Sequence, residues 1–148
     1  MTQLKFAPII ELMTRFSIAS QLYQSQMERQ LIAHDLTLPQ LSVLSHLSRR
    51  TDPQRITSIA AAVEVGQPAV TKMLAKFENR GWITFHASTT DKRSKSARIT
   101  EMGKTHQTNT QRQLLPNVIA ELVGWSETDL AQFSENLNRF GKLLDSNR

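Results

Sequence analysis

The stretch RITSIAAAVEVGQPAVTKMLAKFENRGW, residues 55–82, does most to narrow the folds open to this chain. Ile56 reads as a short extended residue, and Thr57 can cap a helix running through SIAAAVEV. The VGQ turn comes next, and Pro68 opens a second helix where its missing N–H costs nothing. Val70, Met73, Leu74 and Phe77 recur at helical spacing and form that helix's buried stripe. Gly81 ends it, with Phe77 and Trp82 spaced for the apolar contact of a Schellman motif. Ala60, Ala61 and Ala62 are small enough for the two helices to approach closely. Two such helices joined by a short turn make a helix-turn-helix. An ordinary helical hairpin has the same outline, so the residues after Gly81 must decide between the two.

Those residues are WITFH, then STTDKRSKSAR, then Ile99. Two strand-like segments flank a tip that contains Asp91, Lys92, Arg93 and Lys95 and no large apolar residue. A helix-turn-helix leading at once into strand, basic tip and strand is a winged helix. The charge agrees with that reading. Residues 49–98 hold ten Lys/Arg against four acids, a net +6, while the rest of the chain is −1 in a total of +5. A basic segment so concentrated attracts polyanions, with nucleic acid the usual partner.

The flanks read as helices. No glycine or proline occurs from Ile9 to Leu38, and Phe6, Ile9, Ile10, Met13, Phe16, Leu22, Tyr23 and Met27 keep a helical period. The segment 6–34 is therefore one long helix with Pro8 in its first turn. About 27 residues span roughly 40 Å at 1.5 Å per residue. So long a helix in a 148-residue chain packs on a second chain or on another long helix. In LTLPQL, Thr37 is an N-cap with Gln40 three positions on, a capping box, and Leu36 with Leu41 is its staple. Leu41, Val43, Leu44 and Leu47 face inward. Toward the C-terminus, Thr100 caps a helix, Pro116 kinks or breaks it, and Gly124 ends it. Ser126 then caps a last helix with Asp129, Trp125 and Leu130 forming the staple.

LTLPQLSVLSHL (36–47), QPAVTKMLAKFENRGWI (67–83), DKR (91–93) and RITEMGK (98–104) together resemble the MarR family of bacterial winged helix-turn-helix transcription regulators. The resemblance runs along nearly the whole chain. It implies a mainly α fold with a small β-wing, one MarR-like domain over 1–148. Within it, 36–100 would be the winged helix-turn-helix portion, and 4–34 and 101–146 the dimerisation helices. The implied protein is a cytoplasmic homodimer that binds a pseudo-palindromic operator in double-stranded DNA as a repressor, relieved by a small anionic or aromatic effector.

The resemblance also assigns residues. Gln67, Ala69, Thr71 and Lys72 would meet the major groove, with Lys76 nearer the backbone. Gln suits adenine, Lys suits guanine acceptors or phosphate, and Ala or a Thr methyl suits the thymine methyl. Arg93 matches the family's minor-groove arginine. Lys92, Lys95 and Arg98 would neutralise phosphates. Asp91 would brace the wing. Where many relatives carry arginines before the wing this chain has Phe85 and His86, which leaves Arg93 and Arg98 as candidate partners for Asp91. Met13, Arg15, Phe16, His46 and Trp82 are the candidate effector-pocket residues, with Arg15 holding an anionic group. A Met/Phe stripe at this spacing also fits plain core, and Arg15 an intersubunit ion pair.

Other chemistries find no footing. The chain has no cysteine, so disulfides and thiol sensing are excluded. His34, His46, His86 and His106 lack metal-ligand spacing. No Gly-rich phosphate loop, HExxH or G-x-S-x-G occurs, so neither a cofactor nor catalysis is expected. No apolar run approaches the roughly 18 residues of a membrane span. The competing reading is a helical dimer that uses the fold as a ligand-binding or protein-interaction adaptor without reading DNA.

Overall fold

The computed structural model describes residues 3–87 and 94–148, with side chains from Phe6 onward. Seven α-helices and three short strands occur in it: α1 Gln3–Leu31, α2 Leu38–Ser48, β1 Gln54–Arg55, α3 Ile56–Val63, α4 Gln67–Asn79, β2 Ile83–Ala87, β3 Lys95–Ile99, α5 Glu101–Gln113, α6 Pro116–Val123 and α7 Glu127–Ser146. They fall into two compact units, Met1–Leu114 and Leu115–Arg148. The architecture is mainly helical with a small antiparallel sheet, as the sequence implies.

In the first unit α1 is one long helix that tightens into a 3₁₀ turn at Ile32–His34 and stops at Asp35, whose φ is 54°. It begins earlier than its sequence suggests, so Pro8 lies in the second turn rather than the first. The capping box then starts α2: Thr37 N–H donates to Gln40 Oε1 at 3.1 Å, and Gln40 N–H donates to Thr37 Oγ1 at 3.3 Å. Leu41, Val43, Leu44 and Leu47 of α2 are buried, with Leu36 just before it.

The α3 boundary differs from the sequence reading. Ile56 is the first helical residue, Arg55 holds the N-cap place, and Thr57 lies inside the helix. The cause is non-local: Gln54 and Arg55 pair with Ala97 and Ser96 as a third strand, so the chain is extended up to Arg55 and turns helical at once. The sheet order is β1-β3-β2. Ile83 faces Ile99, Phe85 faces Ala97 and His86 faces Ser96 across β2 and β3. Side chains alternate between sheet faces. Ile83, Ala97 and Ile99 are buried, while Thr84, His86 and Arg98 are exposed.

The core gathers Leu31, Leu44, Leu47, Ile59, Val70, Leu74, Phe77 and Ile83, each essentially inaccessible. Full burial of such side chains contributes roughly 1.5–3 kcal/mol apiece. α5 closes this core over α2. Its glycine is required: a Cβ at Gly103 would lie 2.2 Å from the Trp82 carbonyl oxygen and 2.8 Å from Ile99 Cγ1.

The second unit begins with Leu115 at φ 52°, so Pro116 marks a break and a new helix rather than a kink. Ser126 Oγ accepts from Asp129 N–H at 3.0 Å, as the cap requires. The Trp125 ring meets Phe133 edge-on at 6.1 Å. Neither α6 nor α7 has a buried residue, and Ile119, Val123, Phe133, Leu137 and Leu144 are all exposed. In the first unit α1 likewise exposes Phe6, Ile9, Ile10, Leu12, Ile18, Leu22 and Tyr23. Apolar faces of this extent mark surfaces that partners cover.

Candidate nucleic-acid interface

The interface is built on α4. Val70, Leu74 and Phe77 anchor one side of the helix in the core. The opposite side of its N-terminal half therefore faces solvent, and Gln67, Ala69, Thr71 and Lys72 are all exposed there. Gly66 is extended at the N-cap and Pro68 sits in the first turn. The Thr71 hydroxyl donates back to the Gln67 carbonyl at 3.0 Å, which leaves the methyl as its apolar contact group.

The C-terminal end of α4 is fixed by the motif its sequence announces. Trp82 N–H bonds the Phe77 carbonyl and Gly81 N–H the Glu78 carbonyl, both at 2.9 Å, with Gly81 at φ 74°. This is a Schellman cap. The Phe77 and Trp82 ring centroids are 5.7 Å apart.

Asp35 divides the cations of α4 into two sets. Arg80 Nη2 donates to its Oδ2. Lys76 Nζ donates to the Asp35 backbone carbonyl, stands 3.6 Å from Oδ1, and donates to Gln40 Oε1 at 3.1 Å. Lys76, placed nearest the DNA backbone by the resemblance, is thus engaged inside the chain and half-buried. Among the described residues, no carboxylate pairs with Lys72. No sequence pattern announces this arrangement, because Asp35 is 41 and 45 positions from its partners.

Of the wing residues, Asp91, Lys92 and Arg93 lie outside the described residues. Lys95 is exposed and its ammonium sits 5.4 Å from the Phe85 ring centroid, a cation–π contact. Arg98 is exposed on the other face of the sheet, opposite Thr84.

The five candidate pocket residues meet different fates. Arg15 pairs with Glu11 of its own helix at 2.6 Å, and both are largely exposed. Met13 is exposed and Phe16 half-buried on α1. His46 and Trp82 are buried. Trp82 stacks on His106, with centroids 4.1 Å apart and planes at 13°. The His46 and His106 imidazoles both titrate below the usual 6.5, first because burial disfavours their charged forms. Arg50 and Arg49 add to this at His46; His34, Arg80 and Lys76 add to it at His106, where Asp35 opposes it. A shallow cavity of about 260 Å³ runs along α5, lined by Lys104, Thr105, Thr108, Asn109 and Arg112, and holds none of the five.

A buried three-helix core, a Schellman-capped helix with an open polar face, and a three-stranded sheet behind it make a winged helix-turn-helix. Residues 36–95 match the model of the MarR family. The wider chain matches solved structures, MarR family transcription regulators among them. A MepR variant from Staphylococcus aureus is 22% identical, with 91% of this chain and 96% of that one covered at a TM-score of 0.70. The transcriptional regulator BldR from Sulfolobus solfataricus is 20% identical, covering 96% and 99%, at 0.72. CouR from Rhodococcus jostii, solved bound to p-coumaroyl-CoA, is 16% identical, covering 84% and 87%, at 0.65. At these identities the likeness to the solved structures is one of fold. No curated protein matches the sequence. Among the described residues no helix is long and apolar enough to cross a membrane.

Proposed function

We propose that this MarR-like chain is a homodimeric, cytoplasmic transcription regulator that binds a pseudo-palindromic duplex. The observation that carries the reading is the open face of α4. Gln67, Ala69, Thr71 and Lys72 stand exposed over a helix anchored by Val70, Leu74 and Phe77. A buried stripe fixes the helix, so its polar face is offered rigidly, as base readout needs. Lys72 reads a guanine edge or a phosphate, Gln67 an adenine, and Ala69 with the Thr71 methyl a thymine methyl. Arg93 enters the minor groove, Asp91 braces the wing, and Lys92, Lys95 and Arg98 neutralise phosphates. Lys76 supports this surface from behind through Asp35 and Gln40 rather than touching DNA.

Dimerisation is supported by the unburied apolar side chains of α1 and, separately, of α6 and α7. Two-fold symmetry then places half-sites about one helical turn apart. Repression relieved by a small anionic or aromatic molecule is the regulatory part of the proposal. The acyl-CoA held by CouR supports it by likeness of fold.

The test is selection from random duplexes by the purified protein at about 0.15 M salt, near physiological ionic strength, with the bound sequences read. An inverted repeat is the expected product. Recovery of nothing above background, from protein that is folded and dimeric by light scattering, would favour the adaptor reading instead.

A further inference from the structure

We infer that the outer face of the sheet is a second DNA contact surface, a phosphodiester-binding row in which Arg55 joins His86 and Arg98. The inference rests on the proposed DNA binding and extends it to a strand that the sequence does not announce.

Strand register brings these residues together. Arg55 lies opposite Ser96 on one side of β3, and His86 lies opposite Ser96 on the other. Directly opposed residues share a sheet face, with Cβ atoms about 5 Å apart. Arg55, Ser96 and His86 therefore form one row across all three strands. Two positions along, Arg98 and Thr84 form the next row on the same face. The 2.9 Å contact between Thr84 Oγ1 and His86 Nε2 agrees that these two side chains lie together. Lys95, one residue before Ser96, is on the other face with Phe85.

Chemistry then names the partner. Arg55, Thr84, His86 and Arg98 are exposed, and no residue of the three strands is acidic. Among the described residues neither guanidinium has a carboxylate in ion-pair range, whereas Arg15, Lys76, Arg80 and Lys104 each have one. Two guanidiniums, an imidazole and two hydroxyls on one flat face give donors for phosphate oxygens and no apolar pocket for a base or ring. The Arg55–Ser96–His86 row is also the one beside the tip, since β2 ends at Ala87 and β3 begins at Lys95. A wing that reaches DNA brings this row to the flanking backbone.

The experiment measures affinity of the full-length protein for its selected duplex and for an unrelated duplex across a salt series. Arg55→Gln is expected to weaken both duplexes by a similar factor. It should also reduce the slope of log K against log salt by about 0.9 per lost phosphate, about 1.8 for a dimer. Arg98→Gln should act alike and the double variant about additively, while Arg55→Lys restores most of the slope. Melting temperature and dimer mass serve as folding controls. An unchanged slope in Arg55→Gln, with the wild type binding DNA, overturns this inference alone. So does a loss confined to the selected duplex, which would mean base reading. A wild type that binds neither duplex overturns this inference and the functional reading together.

Discussion

The Thr100 hydroxyl donates a 2.6 Å hydrogen bond to the carbonyl of Gly81, the left-handed residue of the cap just past α4. The same oxygen accepts from Gly103 N–H at 3.1 Å and so caps α5, while Thr100 N–H bonds the Trp82 carbonyl at 2.9 Å. One residue after β3 thus fastens the end of α4, the root of the wing and the start of α5. Thr100→Val keeps the shape and removes both hydroxyl bonds. It is expected to cost about 2 kcal/mol, an N-cap plus one further hydrogen bond. Thr100→Ser should stay within about 0.5 kcal/mol of wild type. Denaturant midpoints at one fixed protein concentration measure both, since association shifts apparent stability. A loss in Thr100→Ser with none in Thr100→Val would mean that the methyl, not the hydroxyl, matters.

Asp35 ties the end of α1 to α4 through Arg80 and Lys76, all three partly exposed. Exposed ion pairs are worth little, so the expected coupling in a double-mutant cycle of Asp35→Asn and Arg80→Gln is about 0.5–1 kcal/mol. It should shrink in 1 M salt, where the screening length is about 3 Å. A coupling that survives high salt would show that neutral hydrogen bonding holds the junction.

These two junctions show which parts of the fold the sequence makes legible. The Thr37–Gln40 box, the Phe77–Trp82 cap and the Thr100 and Ser126 caps all formed where the residues announce them. Each is decided within five positions of chain. Non-local pairing hid the rest. Arg55 is the N-cap of α3 because β1 pairs with Ala97 and Ser96. Lys76 turns inward because Asp35 and Gln40 wait 41 and 36 positions away. The same rule applies to the interface. Residue types and helical period single out the exposed face of α4, whereas the row across the sheet exists only once three strands are in register.

His46 and His106 give the fold a pH dependence. Both titrate below 6.5 when folded, chiefly through burial, and the Nε2 of each has no hydrogen-bond partner among the described residues. The unfolded chain then takes up protons more readily than the folded one. Their contribution is fully present above about pH 6.5 and is lost as pH falls from there toward the folded values. Unfolding free energy should decline from pH 7 to pH 5. His106→Phe keeps an aromatic ring against Trp82 and removes one titrating group, so its profile should be flatter over that range. A profile as steep as wild type would place the acid sensitivity elsewhere.

Lys72 separates base reading from simple charge. It is exposed on α4 with no carboxylate partner among the described residues, one turn beyond Ala69 and beside Thr71. A lysine on guanine acceptors contributes discrimination, so Lys72→Ala should cost about 1–3 kcal/mol on the selected duplex and relax preference at one position per half-site. A lysine on phosphate loses affinity uniformly across sequences and lowers the salt slope by about 0.9 per lost phosphate, about 1.8 for a dimer. Binding by Lys72→Ala to the selected duplex and to single-base variants, each over a salt series, distinguishes the two. The position on the N-terminal half of α4, where a recognition helix meets base edges, favours the first. Uniform loss with a smaller slope would move Lys72 to the backbone and leave Gln67, Ala69 and Thr71 to carry the sequence reading.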